Sequence, residues 1–143
     1  MGLRWVNQSC QSAKVIAICD DDIELMPWNL IRWYQSLDNA YLFSQPIYGG
    51  TALVRGAVPF RGIHRYALKA KTLLCGRYPN YISGSGILFN RITLNLWLSA
   101  GAPYTSDFFF DDVYLGYLSK RLKIPITYSE LEIWSDCAMT LAK

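Results

Sequence analysis

The sequence predicts one α/β domain built in layers, with strands and helices alternating along the chain. Three observations predict it. The chain is 143 residues long, a usual single-domain length. It is 52% apolar and 15% aromatic, which is enough to build a core and argues against disorder. Apolar runs of strand length alternate with segments whose apolar residues recur at helical spacing. No repeat, low-complexity segment or internal boundary divides residues 1–143.

Each element has its own warrant. Val15 to Cys19 is a continuous apolar run and reads as a buried strand, with Cys19 a small core residue. Pro27 suits the first turn of a helix that continues through Leu30, Ile31, Tyr34 and Leu37 and ends at Asp38-Asn39. Tyr41 to Pro46 and Tyr48 to Val54 read as strands around Gly49-Gly50. Arg55 to Gly62 is a loop, punctuated by Gly56, Pro59 and Gly62. Gly86 to Phe89 is a short strand, and Asn90 can cap a helix carrying Leu94, Trp97 and Leu98. Gly101 to Ser106 is a loop. Asp111 or Asp112 begins a helix with Val113, Tyr117, Leu118 and Leu122 on one side, and Pro125 follows its end. Ile126 to Tyr128 reads as the last strand. Trp5, Trp28, Trp33, Trp97 and Trp134 are expected in the core, Trp134 least firmly, and the single histidine, His64, in a loop or on the surface.

Composition narrows the partners. The net charge is +3, and basic residues such as Arg61, Arg65, Lys69, Lys71, Arg77, Lys120, Arg121 and Lys123 are scattered. No basic stripe interleaves with aromatics, so no nucleic-acid partner is expected. The N-terminus holds no long apolar run. Cys10, Cys19, Cys75 and Cys137 match no zinc spacing. Asn7-Gln8-Ser9 is an N-glycosylation acceptor triplet.

The chemistry is carried by three segments. The first strand stops on Asp20-Asp21-Asp22. Three adjacent anions repel one another, and a folding core has no use for them. A hard divalent cation would bind one or two of them and keep positions open for phosphate oxygens. The end of a strand is also where open α/β sheets hold ligands. A solvated acidic turn is the alternative. The second segment is Tyr78-Pro79-Asn80-Tyr81-Ile82-Ser83-Gly84-Ser85-Gly86, where Gly84 and Gly86 would let backbone approach a ligand and Tyr81 could stack on a sugar or base. The third is Phe108-Phe109-Phe110-Asp111-Asp112-Val113-Tyr114-Leu115-Gly116, whose carboxylate pair could equally be a helix cap.

In this order the three segments resemble the UDP-sugar-dependent β-1,3-glycosyltransferases, the galactosyltransferase and N-acetylglucosaminyltransferase family with Fringe-like relatives. Trp5, Cys10, Pro59, Arg61, Arg65 and Tyr66 also look like family positions. The resemblance covers nearly the whole chain and implies a GT-A-like fold, with a mixed central sheet flanked by helices. It implies that the N-terminal part of the nucleotide-binding half is missing, as are the anchor and stem of a Golgi membrane enzyme facing the lumen. The activity implied is inverting transfer of galactose or an N-acetylhexosamine from a UDP-sugar to a glycan hydroxyl, on glycoprotein or glycolipid. Mn²⁺ is the implied cofactor, with Asp22 the direct ligand and Asp20 and Asp21 supporting it through water or ribose. Asp112 is the implied general base and Asp111 its neighbour for orientation or acceptor binding, with the helix N-terminus favouring the ionised base. The family's cysteines near Ser-Gly-x-Gly and after Val-Tyr-x-Gly are replaced by Ile82 and Tyr117, which implies one disulfide lost as a pair. The family's downstream metal-ligand histidine has no counterpart after Asp112. Two other readings stand beside this one: a non-catalytic remnant that binds nucleotide, sugar or a partner enzyme, and an unrelated Mg²⁺-dependent phosphoryl enzyme. The Tyr-Pro-x-Tyr segment counts against the last.

Overall fold

A computed structural model of the chain describes residues 2–37, 44–50, 52–59, 76–100, 111–128 and 134–136. In chain order the elements are α1 (Leu3–Ser9), β1 (Val15–Ile18), β2 (Ile23–Leu25), α2 (Pro27–Ser36), β3 (Tyr48–Gly50), β4 (Leu53–Val54), β5 (Tyr81–Ile82), β6 (Ile87–Asn90), α3 (Arg91–Ala100), α4 (Asp111–Arg121), β7 (Ile126–Tyr128) and β8 (Trp134–Asp136).

The main sheet has four strands in the order β1-β6-β3-β7. β6 runs antiparallel to both β1 and β3, and β3 runs parallel to β7. This is the mixed α/β sheet flanked by helices that the sequence predicts. β6, like β3, is buried along its whole length, and its side chains alternate between two cores. Ile87 and Phe89 join Ile16, Tyr48, Leu94, Trp97, Leu115 and Leu118 on one face. Leu88 joins Trp33 and Ile47 on the other.

The helices follow from their sequences. α2 starts at Pro27, whose missing N–H costs nothing in a first turn. Leu30, Trp33, Tyr34 and Leu37 form the stripe that meets Ile47 and Leu88. α3 is capped as expected: Asn90 Oδ1 accepts the Thr93 N–H at 3.0 Å. The same oxygen accepts the Ile47 N–H at 3.1 Å, and Asn90 Nδ2 donates to the Gln45 carbonyl at 2.8 Å. Asn90 thus ties the start of α3 to the entry of β3. Trp97 packs against Tyr48 and Phe89 at centroid distances of 5.2 and 4.9 Å, and its indole N–H donates to Ser119 Oγ at 3.1 Å. That bond docks α3 on α4. α4 ends in a Schellman motif: Ile124 N–H donates to Ser119 O and Lys123 N–H to Lys120 O, with Lys123 left-handed at φ 57°.

Several expectations are corrected. β1 is an edge strand, not a buried one: Ile16 is buried and Ala17 exposed. Cys19 lies past its end and is exposed rather than in the core. Ser44 to Pro46, the described part of the expected strand from Tyr41, is not strand. Tyr48 to Val54 is not one strand, because β3 belongs to the main sheet and β4 pairs with β5. At Gly49 a Cβ would collide with the Thr127 carbonyl, and at Gly50 with the Gly86 carbonyl, so the two glycines allow the close approach there. α2 ends at Ser36, ahead of the expected stop. β7 is not the last strand, since β8 follows and pairs with β2. α4 buries Tyr114, Leu115 and Ser119 as well as Val113 and Leu118, a wider face than the expected stripe, and Leu122 lies past its end. α1, β2, β5 and β8 are elements the sequence reading did not predict. Trp33 and Trp97 are core residues, but Trp5 is 63% and Trp28 77% exposed. His64, Cys75, Cys137, Arg61, Arg65, Tyr66, residues 60–62 of the 55–62 loop and all of the 101–106 loop lie outside the described residues, as does the side chain of Trp134.

Candidate functional site

The sheet's register sets up the first half of the site. β1 ends beside the start of β6, with Ile18 opposite Ile87. The acidic turn after β1 therefore lies alongside the Ser83-Gly84-Ser85 turn that leads into β6. Ile23 N–H donates to the Asp20 carbonyl at 3.3 Å and closes the acidic turn. Asp20, Asp21 and Asp22 are all exposed. Partial burial, then Asp22, Asp111 and Asp21, push the Asp20 carboxyl above its ordinary range. Asp111 belongs to the second acidic motif, which meets the first at Gly84.

The second half comes from the N-terminus of α4. Asp112 is half-buried there. Its Oδ1 accepts the Val113 N–H at 2.6 Å and its Oδ2 the Gly84 N–H at 3.3 Å. Asp111 is exposed, and its Oδ1 accepts the Asp112 N–H at 3.0 Å. Burial pushes the Asp112 carboxyl up. The bonds from Val113 and Gly84 pull it down, and Asp111 and Asp20 push it up again. The net direction is upward. This corrects the expectation that the helix terminus would favour the ionised form: removal from water outweighs the two N–H donors. With its pKa raised, the Asp112 carboxylate is a stronger base than an ordinary aspartate.

Gly84 joins the halves. A Cβ on Gly84 would stand 3.4 Å from both carboxylate oxygens of Asp20, while its N–H bonds Asp112. Tyr81, three residues earlier, is half-buried, and its ring meets Tyr78 edge-on at 6.3 Å. Burial first, then Asp112, push its phenol up. The structure thus brings Asp20, Asp112, Gly84 and Tyr81 together, with Asp111, Asp21 and Asp22 at the rim. Gly86 stands apart: it is buried, with its carbonyl against Gly50 in the sheet.

Two residues that hold this arrangement were not singled out in the sequence. Gly116 lies one turn after Asp112, and a Cβ there would come 2.5 Å from Tyr81 Cβ and 3.1 Å from the Asn80 carbonyl oxygen. Its bare backbone lets α4 lie against β5. The clue was available, because a mid-helix glycine costs about 1 kcal/mol and is retained where packing demands it. Tyr48 is fully buried, and its hydroxyl accepts the Ile82 N–H at 2.9 Å. Nothing local marks it. A cleft of about 360 Å³ opens beyond Gly116, walled by Tyr78, Pro79, Asn80 and Lys120, and holds none of the acidic residues.

The donor set at the acidic turn is chemically right for a hard cation: three exposed carboxylates on consecutive residues. Among the described residues, however, no three His, Cys, Asp or Glu side chains are arranged to hold a metal by themselves. An ion here would need phosphate or water oxygens to complete its shell, as divalent ions in phosphate-handling sites commonly do. Cys10 and Cys19 are unbridged. No helix among the described residues is long and apolar enough to cross a membrane.

A galactosyltransferase family model matches residues 1–130. The chain belongs to the galactosyltransferase family. It is 27% identical over 125 residues to a lactosylceramide 1,3-N-acetyl-beta-D-glucosaminyltransferase B of Xenopus laevis, covering 87% of this chain and 32% of that protein. The human lactosylceramide 1,3-N-acetyl-beta-D-glucosaminyltransferase is 28% identical over the same length and shares. A human acetylgalactosaminyl-O-glycosyl-glycoprotein beta-1,3-N-acetylglucosaminyltransferase is 31% identical over 121 residues, 83% of this chain and 30% of that protein. The chain spans about a third of the length of these relatives.

Proposed function

We propose that this chain carries the metal-binding and base carboxylates of an inverting β-1,3-hexosyltransferase. The donor is a UDP-sugar and the acceptor a glycan hydroxyl on a glycolipid or glycoprotein. The names of the relatives favour N-acetylglucosamine as the sugar transferred. The observation that carries the reading is the convergence of both acidic motifs on one backbone position, Gly84. A cap pair and a solvated turn would have no reason to meet.

Asp112 is the general base. Its carboxylate takes the proton of the acceptor hydroxyl, whose oxygen attacks the anomeric carbon as the bond from that carbon to the diphosphate breaks. A single base opposite the leaving group gives inversion, so an α-linked donor yields a β-linkage. The Val113 and Gly84 N–H groups fix both carboxylate oxygens and hold the base in place. Asp111 accepts the Asp112 backbone N–H and would orient the base or bind the acceptor. Asp22 and Asp20 would hold Mn²⁺, with Asp21 supporting through water or the ribose. When bound, the ion neutralises the diphosphate leaving group. Tyr81 offers a half-exposed ring to the sugar. The full-length enzyme is assigned to the Golgi membrane with this domain in the lumen.

Calorimetry with UDP, with and without Mn²⁺, tests the reading. Asp22→Ala should abolish the Mn²⁺-dependent gain in UDP affinity and leave the fold intact, since an exposed carboxylate contributes little to stability. Equal UDP affinity in the variant would refute the assignment. The second reading, a non-catalytic nucleotide or sugar binder, is favoured by one observation: no protein-only metal cage exists among the described residues. UDP binding without UDP release in the presence of acceptor would select it.

A further inference from the structure

We propose that Asn7 is an N-glycosylation site, tethered at the end of β1 opposite the acidic turn. The proposal rests on the lumenal location assigned above and goes beyond the transfer activity. Asn7-Gln8-Ser9 is the single Asn-x-Ser/Thr triplet in the sequence, and its middle residue is not proline.

The structure shows how the side chain would accept the modification. Asn7 lies in the second half of α1 and is half-buried, while Gln8 and Ser9 are exposed. Its Oδ1 accepts from Arg91 Nη1 at 3.1 Å. Among the described residues its Nδ2 has no hydrogen-bond partner. An N-linked glycan replaces one hydrogen of Nδ2 and leaves Oδ1 an acceptor, so the Arg91 bond survives. Arg91 also donates to the carbonyls of Cys10 and Ala13, the latter at 3.4 Å, which fixes the exit of α1 whether or not a sugar is present.

Position makes the glycan compatible with the site. Arg91 follows Asn90, which pairs with Val15 at the start of β1. The acidic turn follows the other end of β1. β1 is four residues long, so its ends stand about 10 Å apart. Asn7 is therefore tethered at the end of β1 opposite the acidic turn.

The covalent step needs an oligosaccharide carried on a lipid diphosphate. The bond from Asn7 Nδ2 to the anomeric carbon forms, and the bond from that carbon to the phosphate oxygen breaks. The lipid diphosphate departs with the electron pair, and the amide proton passes to a base of the transferase. The Ser9 hydroxyl is the second element that the transferase reads.

The test is to express the full 143-residue chain behind a cleavable secretory leader in a eukaryotic cell. Mass is then read on leader-cleaved chains before and after peptide N-glycosidase. The expected result is a glycosidase-sensitive mass increment, with Asn7 converted to aspartate on the released peptide. Asn7→Asp and Ser9→Ala should each abolish the increment. Asn7→Asp keeps an acceptor for Arg91, and Ser9→Ala leaves every Asn7 contact in place, so loss in both is loss of the acceptor and not of the fold. Leader-cleaved chains that are all unmodified at Asn7 would overturn the proposal, as would an increment that persists in either variant. UDP binding by the same chains is read separately. Its absence would refute the assigned transferase function while leaving the glycan result to stand or fall alone.

Discussion

Gly116→Ala tests the packing that brings the base to its place. The new Cβ would stand 2.5 Å from Tyr81 Cβ and 3.3 Å from Tyr81 Cα. Carbon atoms rest at about 3.5–4.0 Å, so α4 and β5 must part by roughly 1 Å. Both partners are backbone or Cβ, and neither can swing aside. Overpacking of this kind costs about 1–3 kcal/mol. Alanine returns about 1 kcal/mol of helix propensity. The net expectation is a loss of about 0–2 kcal/mol in chemical denaturation.

The more telling effect is local. The Gly84 N–H reaches Asp112 Oδ2 at 3.3 Å, already long for such a bond, and a shift of roughly 1 Å breaks it. Removing a donor from the carboxylate removes one of the two contacts that lower its pKa. The Asp112 carboxyl should therefore titrate higher in the variant, and the Gly84 amide should exchange faster. NMR titration and amide exchange read both. A variant that is stabilised by the full propensity gain, with the Gly84 amide and Asp112 titration unchanged, would refute the close contact of α4 and β5.

Three further outcomes are expected. In a protein complete enough to turn over, Asp112→Asn should lower the transfer rate by about 10²–10⁴ with donor affinity held, and Asp111→Asn should cost clearly less; near-normal turnover in the first, or the reverse order, would move the base elsewhere. Asn90→Ala removes the α3 cap and strands the Ile47 N–H, so a loss of about 2–4 kcal/mol in urea denaturation is expected, and a loss under about 1 kcal/mol would disprove its linking role. Lys123→Gly relieves the left-handed residue that ends α4 and should stabilise by about 1 kcal/mol; a destabilised variant would contradict that helix end.

What the sequence made legible was local. The cap at Asn90 and the Pro27 start depend on neighbours three or four residues away, and both appear in the structure; the expected α2 stripe appears with Trp33 buried in it and Ile31 exposed. What it hid was decided at long range. α1 has neither a side-chain cap nor an acidic first turn, and its exit is held by Arg91 from more than eighty positions downstream. Whether an apolar strand is central or at an edge depends on its partners, so Val15 to Ile18 looked buried when only Ile16 is. Trp5 and Trp28 were misplaced for the same reason. The sign of the Asp112 shift was missed because a helix terminus is visible in sequence, while the burial that outweighs it is not.

The candidate site needs three pairings, and none of them is a property of any motif alone. β1 and β6 run antiparallel, so the end of one meets the beginning of the other and the Asp20 turn faces the Gly84 turn. β4 and β5 pair through Leu53 with Ile82, and Ser83 N–H donates to the Ala52 carbonyl, which holds the Tyr81–Ser83 stretch at the margin of the sheet. Gly116 then admits α4 to that stretch, and the helix period sets Asp112 one turn above it, within reach of the Gly84 N–H. Remove any one pairing and the carboxylates separate, although every motif remains in the sequence. The motifs identify the chemistry; the antiparallel register and one mid-helix glycine bring it to a single place.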